Sequence, residues 1–181
     1  MLQRMNRIEI ETVLNKDRAW LLETVSAILP DDLYRGVTQS EHDPKVMWSM
    51  ADHFVHTSLI EHNWNAMVRK HFAGAPDAVG MRTNADGTPK SREEVMAGIH
   101  AWTEEWADKH RGKSLDELVA VGQNARGETL TLLAELTDEQ LQSKIPGAPW
   151  ADGTVGAILA ANAAHGRMHF KYAKDGLEAA K

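Results

Sequence analysis

A chain of 181 residues with 43% hydrophobic and 25% charged residues has the size and balance that one hydrophobic core supports, so a single domain is expected over residues 1–181. The absence of cysteine excludes a disulfide framework, a thiolate metal site and a cysteine nucleophile, so any thiol in the chemistry has to arrive as a co-substrate. With a net charge of -6 there is no basic stripe for nucleic acid, and the apolar stretches fall far short of a membrane span. Met1 to Glu11 lacks the apolar core of a secretory signal, and the expected location is the cytoplasm.

Helical periodicity dominates the chain, and no alternating run of β-branched residues argues for a strand. A first helix is predicted over 7–29, carrying Ile10, Val13, Leu14, Leu21 and Val25, and stopping at Pro30. A second runs from Pro44 or Val46 to Phe72 and is apolar around much of its circumference, which implies burial on several sides. Its basic end, Arg69-Lys70-His71, suits the negative end of a helix dipole better than a nucleic acid. Glycines and prolines then mark a loop over 73–90, long for an idle connection and a candidate lid.

Ser91–Glu94 and Ser114–Glu117 have the capping-box form and start helices over 91–111 and 114–136, while Thr137–Gln140 caps one further turn. After Pro146 and Pro149 a last helix is predicted from 153 to 174, with Gly176 as its stop. On that helix Ile158, Asn162, His165, His169 and Tyr172 fall in one narrow stripe. Imidazoles four residues apart have Cβ atoms about 5–6 Å apart, close enough to converge on one ion. Two such ligands make half a site, and a catalytic site of this kind commonly adds a third from elsewhere. The plain alternative is a polar seam of hydrogen-bonded histidines. Gly166 stands where a zinc protease of H-E-x-x-H type carries its glutamate, which removes that reading.

The stretch Trp48-Ser49-Met50-Ala51-Asp52-His53-Phe54-Val55-His56, followed by Glu61, resembles the W-S-x-x-D-x-x-x-H pattern of DinB-like and DfsB/ClbS-like proteins, and His165 to His169 is similar to the H-x-x-x-H of their final helix. The resemblance implies an all-α four-helix bundle of up-down-down-up type, here with an additional helix and the long loop between helices two and three. It also implies that His56, His165 and His169 are metal ligands. Three neutral imidazoles suit zinc or nickel, with iron(II) a further option. Within the resemblance lie thiol-dependent transferases and a hydrolase that disarms a reactive natural product. The expectation is therefore a metal-dependent S-transferase or hydrolase acting on a small electrophilic or toxic molecule, with a low-molecular-weight thiol as possible co-substrate. The competing class is a non-catalytic bundle that binds a small ligand, metal or protein partner.

His53 departs from the resemblance, where an aliphatic residue is usual. It is a candidate catalytic base, fourth ligand or hydrogen-bonding neighbour of a ligand, against the plainer reading of a core-satisfied or solvent-facing histidine. Tyr172 is a candidate catalytic donor to a bound anion, with packing as the alternative. Trp150 is a candidate cover for the pocket mouth. Trp48, Trp64, Trp102 and Trp106 read as core or pocket wall. Asn124 and Glu128, four apart on the helix over 114–136, are candidates for a hydrogen bond to a ligating imidazole, against the plainer reading of a solvated face. His42, His71, His100 and His110, near loops or helix ends, are read as exposed, and neither they nor His62 are assigned a role. The partners expected are a small-molecule substrate and, because helix two is apolar on so many sides, a second copy in a homodimer.

Overall fold

The computed structural model describes residues 5–84 and 86–179. Residues 1–4, 180 and 181 of the span expected to be one domain, and position 85 of the 73–90 loop, lie outside the described residues. Four long helices form the frame: α1 (Arg7–Ser26), α3 (Met50–Phe72), α5 (Leu115–Glu135) and α7 (Val155–Ala179). Between α1 and α3 come α2 (Pro30–Leu33) and two strands, β1 (Gly36–Gln39) and β2 (Met47–Ser49). A further helix, α4 (Arg92–His110), lies along α3, and α6 (Asp138–Gln142) precedes α7.

Pairwise contacts set the directions. Ile10 approaches Gly156, and Trp20 meets Phe170 at 6.2 Å between ring centres, so α1 and α7 run parallel. Glu61 meets Arg126 and Arg69 meets Glu135, so α3 and α5 also run parallel. His56 faces His165 while His53 faces His169, which makes α3 and α7 antiparallel. The result is the up-down-down-up bundle expected from the resemblance.

Five helices begin with a reciprocal capping box: Asn6/Glu9, Ser49/Asp52, Ser91/Glu94, Ser114/Glu117 and Thr137/Gln140. The expectation of no strand is corrected. β1 and β2 pair antiparallel, with Thr38 opposite Trp48, but strands of four and three residues are too short to show a period of two. The second helix accordingly starts at Met50 and not near 44–46, because Ser49 ends β2 and caps α3. The first helix ends at Ser26, and Pro30 opens α2 as its first residue. Gly176 does not stop the last helix, which continues to Ala179; a side chain there would strike the Val37 carbonyl, so this glycine seats β1 against α7.

The centre of the frame is polar. Glu61, 2% exposed, accepts from Arg18 of α1 at 2.8 Å and from Arg126 and Thr129 of α5 at 2.5 and 2.8 Å. Arg126 also donates to the Leu14 carbonyl of α1. Gly122 lets this network close, since a Cβ there would stand 2.6 Å from Arg18 Nη1. Asp17, also buried, pairs with Arg167 of α7 at 2.8 Å. Most of the apolar circumference of α3 packs within one chain, against α4, α5 and α7.

Removing one member of a buried ion network strands the others, at a cost of about 3–5 kcal/mol. Glu61→Gln is expected to lower the unfolding free energy by that amount in urea denaturation, whereas Ser91→Ala, at an exposed cap, costs about 1 kcal/mol. Equal and small effects for the two would overturn the placing of Glu61 as the hub.

Candidate metal centre

The sequence motif around the start of α3 resolves into separate tasks. Ser49 and Asp52 cap the helix, and Asp52 also accepts from Arg111 at 3.1 Å. Trp48 donates its indole N–H to Glu104 of α4 at 2.7 Å, and Ser40 and Arg111 bond the same carboxylate at 2.5 and 2.7 Å. Its ring, now fixed, lies 5.4 Å from those of His53 and His56. Trp48 therefore locks the start of α3 and forms one wall of the histidine cluster.

His56 comes from α3, and His165 and His169 from successive turns of α7. Their ring centres lie 5.3 Å (His56–His165), 4.3 Å (His56–His169) and 4.5 Å (His165–His169) apart. One ring nitrogen from each lies within 4.8 Å of the other two. His56 Nδ1 and His165 Nδ1 are buried without a hydrogen-bond partner. Orphaned buried donors or acceptors are costly, and two of them in a three-imidazole group is the condition that an ion relieves. The residues fit a divalent metal.

Burial holds all these rings neutral, the form that ligates. It pushes His53 and His165 down to about 4 and, with the neighbouring imidazoles adding repulsion, His56 to about 3 and His169 to about 2. His53 is itself buried, its Nε2 2.7 Å from Thr38 Oγ1 and its Nδ1 3.1 Å from His169 Nδ1. It stands beside the three-histidine group and outside it.

The cluster forms part of the wall of a cavity of about 780 Å³. Met96, Ile99, His100 and Thr103 of α4 line it at helical spacing, a signal present in the sequence as an i, i+3, i+4, i+7 stripe. Trp64, Trp102 and Trp150 line it too, with Trp150 packed 5.8 Å from Trp64. Among the described residues that line the cavity there is no lysine or arginine. Tyr172 stands at the rim, 53% exposed, with its ring 6.3 Å from that of His169. Of the 73–90 loop, Met81 reaches the cavity.

Other residues fall elsewhere. Glu128 bonds His62 at 2.7 Å on the exposed face, away from the cluster. Trp106 donates to the Val55 carbonyl, a packing role. The reading of His110 as exposed is corrected: it is 6% exposed, and its Nδ1 lies 2.7 Å from the Trp106 carbonyl one turn back. His100 is half-buried, pairs with Glu41 at 2.8 Å and lines the cavity. Thr38 and Glu104 had no sequence signal, since one sits in an unforeseen strand and the other looks like any helix-surface acid.

A family model described as the DinB superfamily matches residues 21–173, a span that contains all of the clustered histidines. The chain belongs to the DinB superfamily. Comparison with curated proteins gives no match. A crystal structure of an uncharacterised protein from Escherichia coli UTI89 is similar, with a TM-score of 0.60 and 19% identity over 97% of this chain and 94% of that one. At that identity the likeness concerns the fold alone, and it takes in α1, most of which precedes the family match. No helix among the described residues is long and apolar enough to cross a membrane.

The lowered histidine values carry a sign that can be measured. Unfolded imidazoles titrate near about 6.5 and the folded ones below that, so the unfolded chain binds more protons as pH falls. Stability is full above that point and is lost below it, by at most about 1.4 kcal/mol per pH unit for each buried ring. In chelator-treated protein the melting temperature is expected to fall between pH 7 and 5, and less steeply in His56→Phe. Parallel pH profiles for the two proteins would contradict the buried neutral cluster.

Proposed function

We propose that this protein is a metal-dependent enzyme that hydrolyses a small, largely apolar electrophilic molecule in a detoxification role. The observation that carries the reading is the meeting of three neutral imidazoles with a cavity of about 780 Å³ whose described wall holds no cationic side chain. Cavities of about 300–1,000 Å³ take small organic ligands. His56, His165 and His169 hold the ion, zinc or nickel by donor type, with iron(II) a further option. A divalent ion so held supplies Lewis acidity and makes a water nucleophile available at neutral pH.

The chain's own residues supply the rest. Trp64, Trp102 and Trp150, with Met96 and Ile99, take the apolar body of the substrate and exclude water from it. In this reading Tyr172, at the rim of the cavity, gives its hydroxyl to a substrate oxygen. Low-molecular-weight thiols with carboxylates would find no arginine or lysine among the described residues that line the cavity, which favours hydrolysis over transfer to an anionic thiol. Transfer to an uncharged thiol is the second reading, supported by the same open, apolar cavity.

Elemental analysis of untagged protein is expected to find close to one metal ion per chain, lost in His56→Ala and in His165→Ala. Hydrolysis of a neutral nitrophenyl ester should fall by at least about 100-fold on chelation and return with the ion. Acceleration by 2-mercaptoethanol, with formation of the thioester, would favour the thiol route. A wild type that stays metal-free after incubation with zinc, nickel and iron(II) salts would sink the enzyme reading in favour of a ligand-binding bundle.

A further inference from the structure

His53, the residue that departs from the resemblance, is the one whose two ring nitrogens are both engaged within the cluster's surroundings. Nε2 lies 2.7 Å from Thr38 Oγ1 and Nδ1 lies 3.1 Å from His169 Nδ1. Thr38 belongs to β1, and β1 is seated on α7 where Gly176 meets Val37. The helix that carries His169 and the strand that carries Thr38 are thus held together on either side of His53. The ring of His53 is further confined by Trp48, 5.4 Å away between ring centres.

The direction of these two hydrogen bonds selects a tautomer. A neutral imidazole has one N–H and one bare nitrogen. If Thr38 donates to His53 Nε2, His53 carries its proton on Nδ1 and donates it to His169 Nδ1. His169 then keeps its own proton on Nε2, which blocks that nitrogen as a ligand. In the opposite direction, His53 Nε2–H donates to Thr38 Oγ1, and its bare Nδ1 accepts from His169 Nδ1–H. His169 is then left with a lone pair on Nε2. Metal-ligating imidazoles commonly donate their second N–H to such a fixed acceptor.

We propose that His53 is a positioning residue: backed by Thr38, it accepts the Nδ1–H of His169 and so fixes His169 in the tautomer whose Nε2 is free to ligate. This rests on the reading above that His169 is a ligand. It adds an imidazole acceptor contributed from α3 and a strand hydroxyl that orients that acceptor. Because His53 lies outside the three-histidine group, its contribution is to ring orientation and proton placement, and the ion's own ligands remain His56, His165 and His169.

Two readouts test it: nitrogen-15 NMR of the imidazoles in metal-free protein at pH 7, and zinc affinity by competition with a chromophoric chelator. The wild type is expected to show His169 as the Nδ1–H tautomer. His53→Leu should release it to the Nε2–H form and weaken zinc binding by about 10–100-fold. His53→Gln, whose side-chain oxygen accepts the same bond, should recover most of both. Thr38→Val leaves His53 in place and should give an intermediate mixture of tautomers.

An Nε2–H tautomer in the wild type, or a His53→Leu protein unchanged in tautomer and zinc affinity, would overturn the proposal. So would total loss of zinc in His53→Leu equal to that of His56→Ala, which would make His53 a ligand. Failure of the wild type to take up zinc would count against the metal reading alone, and the tautomer comparison would still decide the role of His53.

Discussion

Everything in this bundle is registered by one buried carboxylate. Glu61 sits 2% exposed between two arginines from two other helices, in surroundings where an unpaired charge is costly. Its partners on α1 and α5 have to arrive at fixed heights along α3, and the absence of a side chain at Gly122 gives Arg18 room to do so. Apolar packing alone tolerates sliding, because one leucine contact resembles the next. An ion network does not, because each nitrogen needs its oxygen. The fourth helix is tied into the same frame by Asp17 and Arg167.

That registration has a functional reach. Glu61 and His56 lie five residues apart on α3, which puts them on different faces of the helix. One face fixes the frame while the other presents an imidazole to α7. The histidines can therefore be buried, neutral and partly unsatisfied, because the helices that carry them are registered elsewhere. The short β-structure and its connection over residues 36–49 would hardly matter to such a frame, yet β1 brings Thr38 to His53 and β2 brings Trp48 to His53 and His56.

The frame was largely legible in the sequence. Ser91, Ser114 and Thr137 each announced a helix start through an acid or amide three residues on, and the His165–His169 stripe announced a shared face. The limits were equally physical. Strands of four and three residues carry too few positions for a period, so Thr38 and its bond to His53 were invisible. The same omission shifted the start of α3, since Ser49 was not seen as a cap. Gly176 read as a stop because local rules favour glycine at helix ends. Its actual use, a close approach of Val37 from more than 130 residues earlier in the chain, is a tertiary fact. His110 read as exposed because position near a helix end says nothing about what folds over it.

The placement of α4 separates two kinds of change that a protein of this sort can undergo. This helix packs chiefly on α3, supplies Met96, Ile99, His100, Trp102 and Thr103 to the cavity, and holds neither the ion network nor any of the three clustered histidines. It is tied to the frame by Glu104 with Trp48, by Trp106 with the Val55 carbonyl and by the neighbouring Arg111 with Asp52, from positions of α4 and its end other than those that line the cavity. The shape of the cavity can thus be redrawn by exchanging residues along one stripe of one helix, with the histidine cluster and the folding core left intact. Such an arrangement lets a lineage change what its cavity holds without rebuilding the histidine cluster.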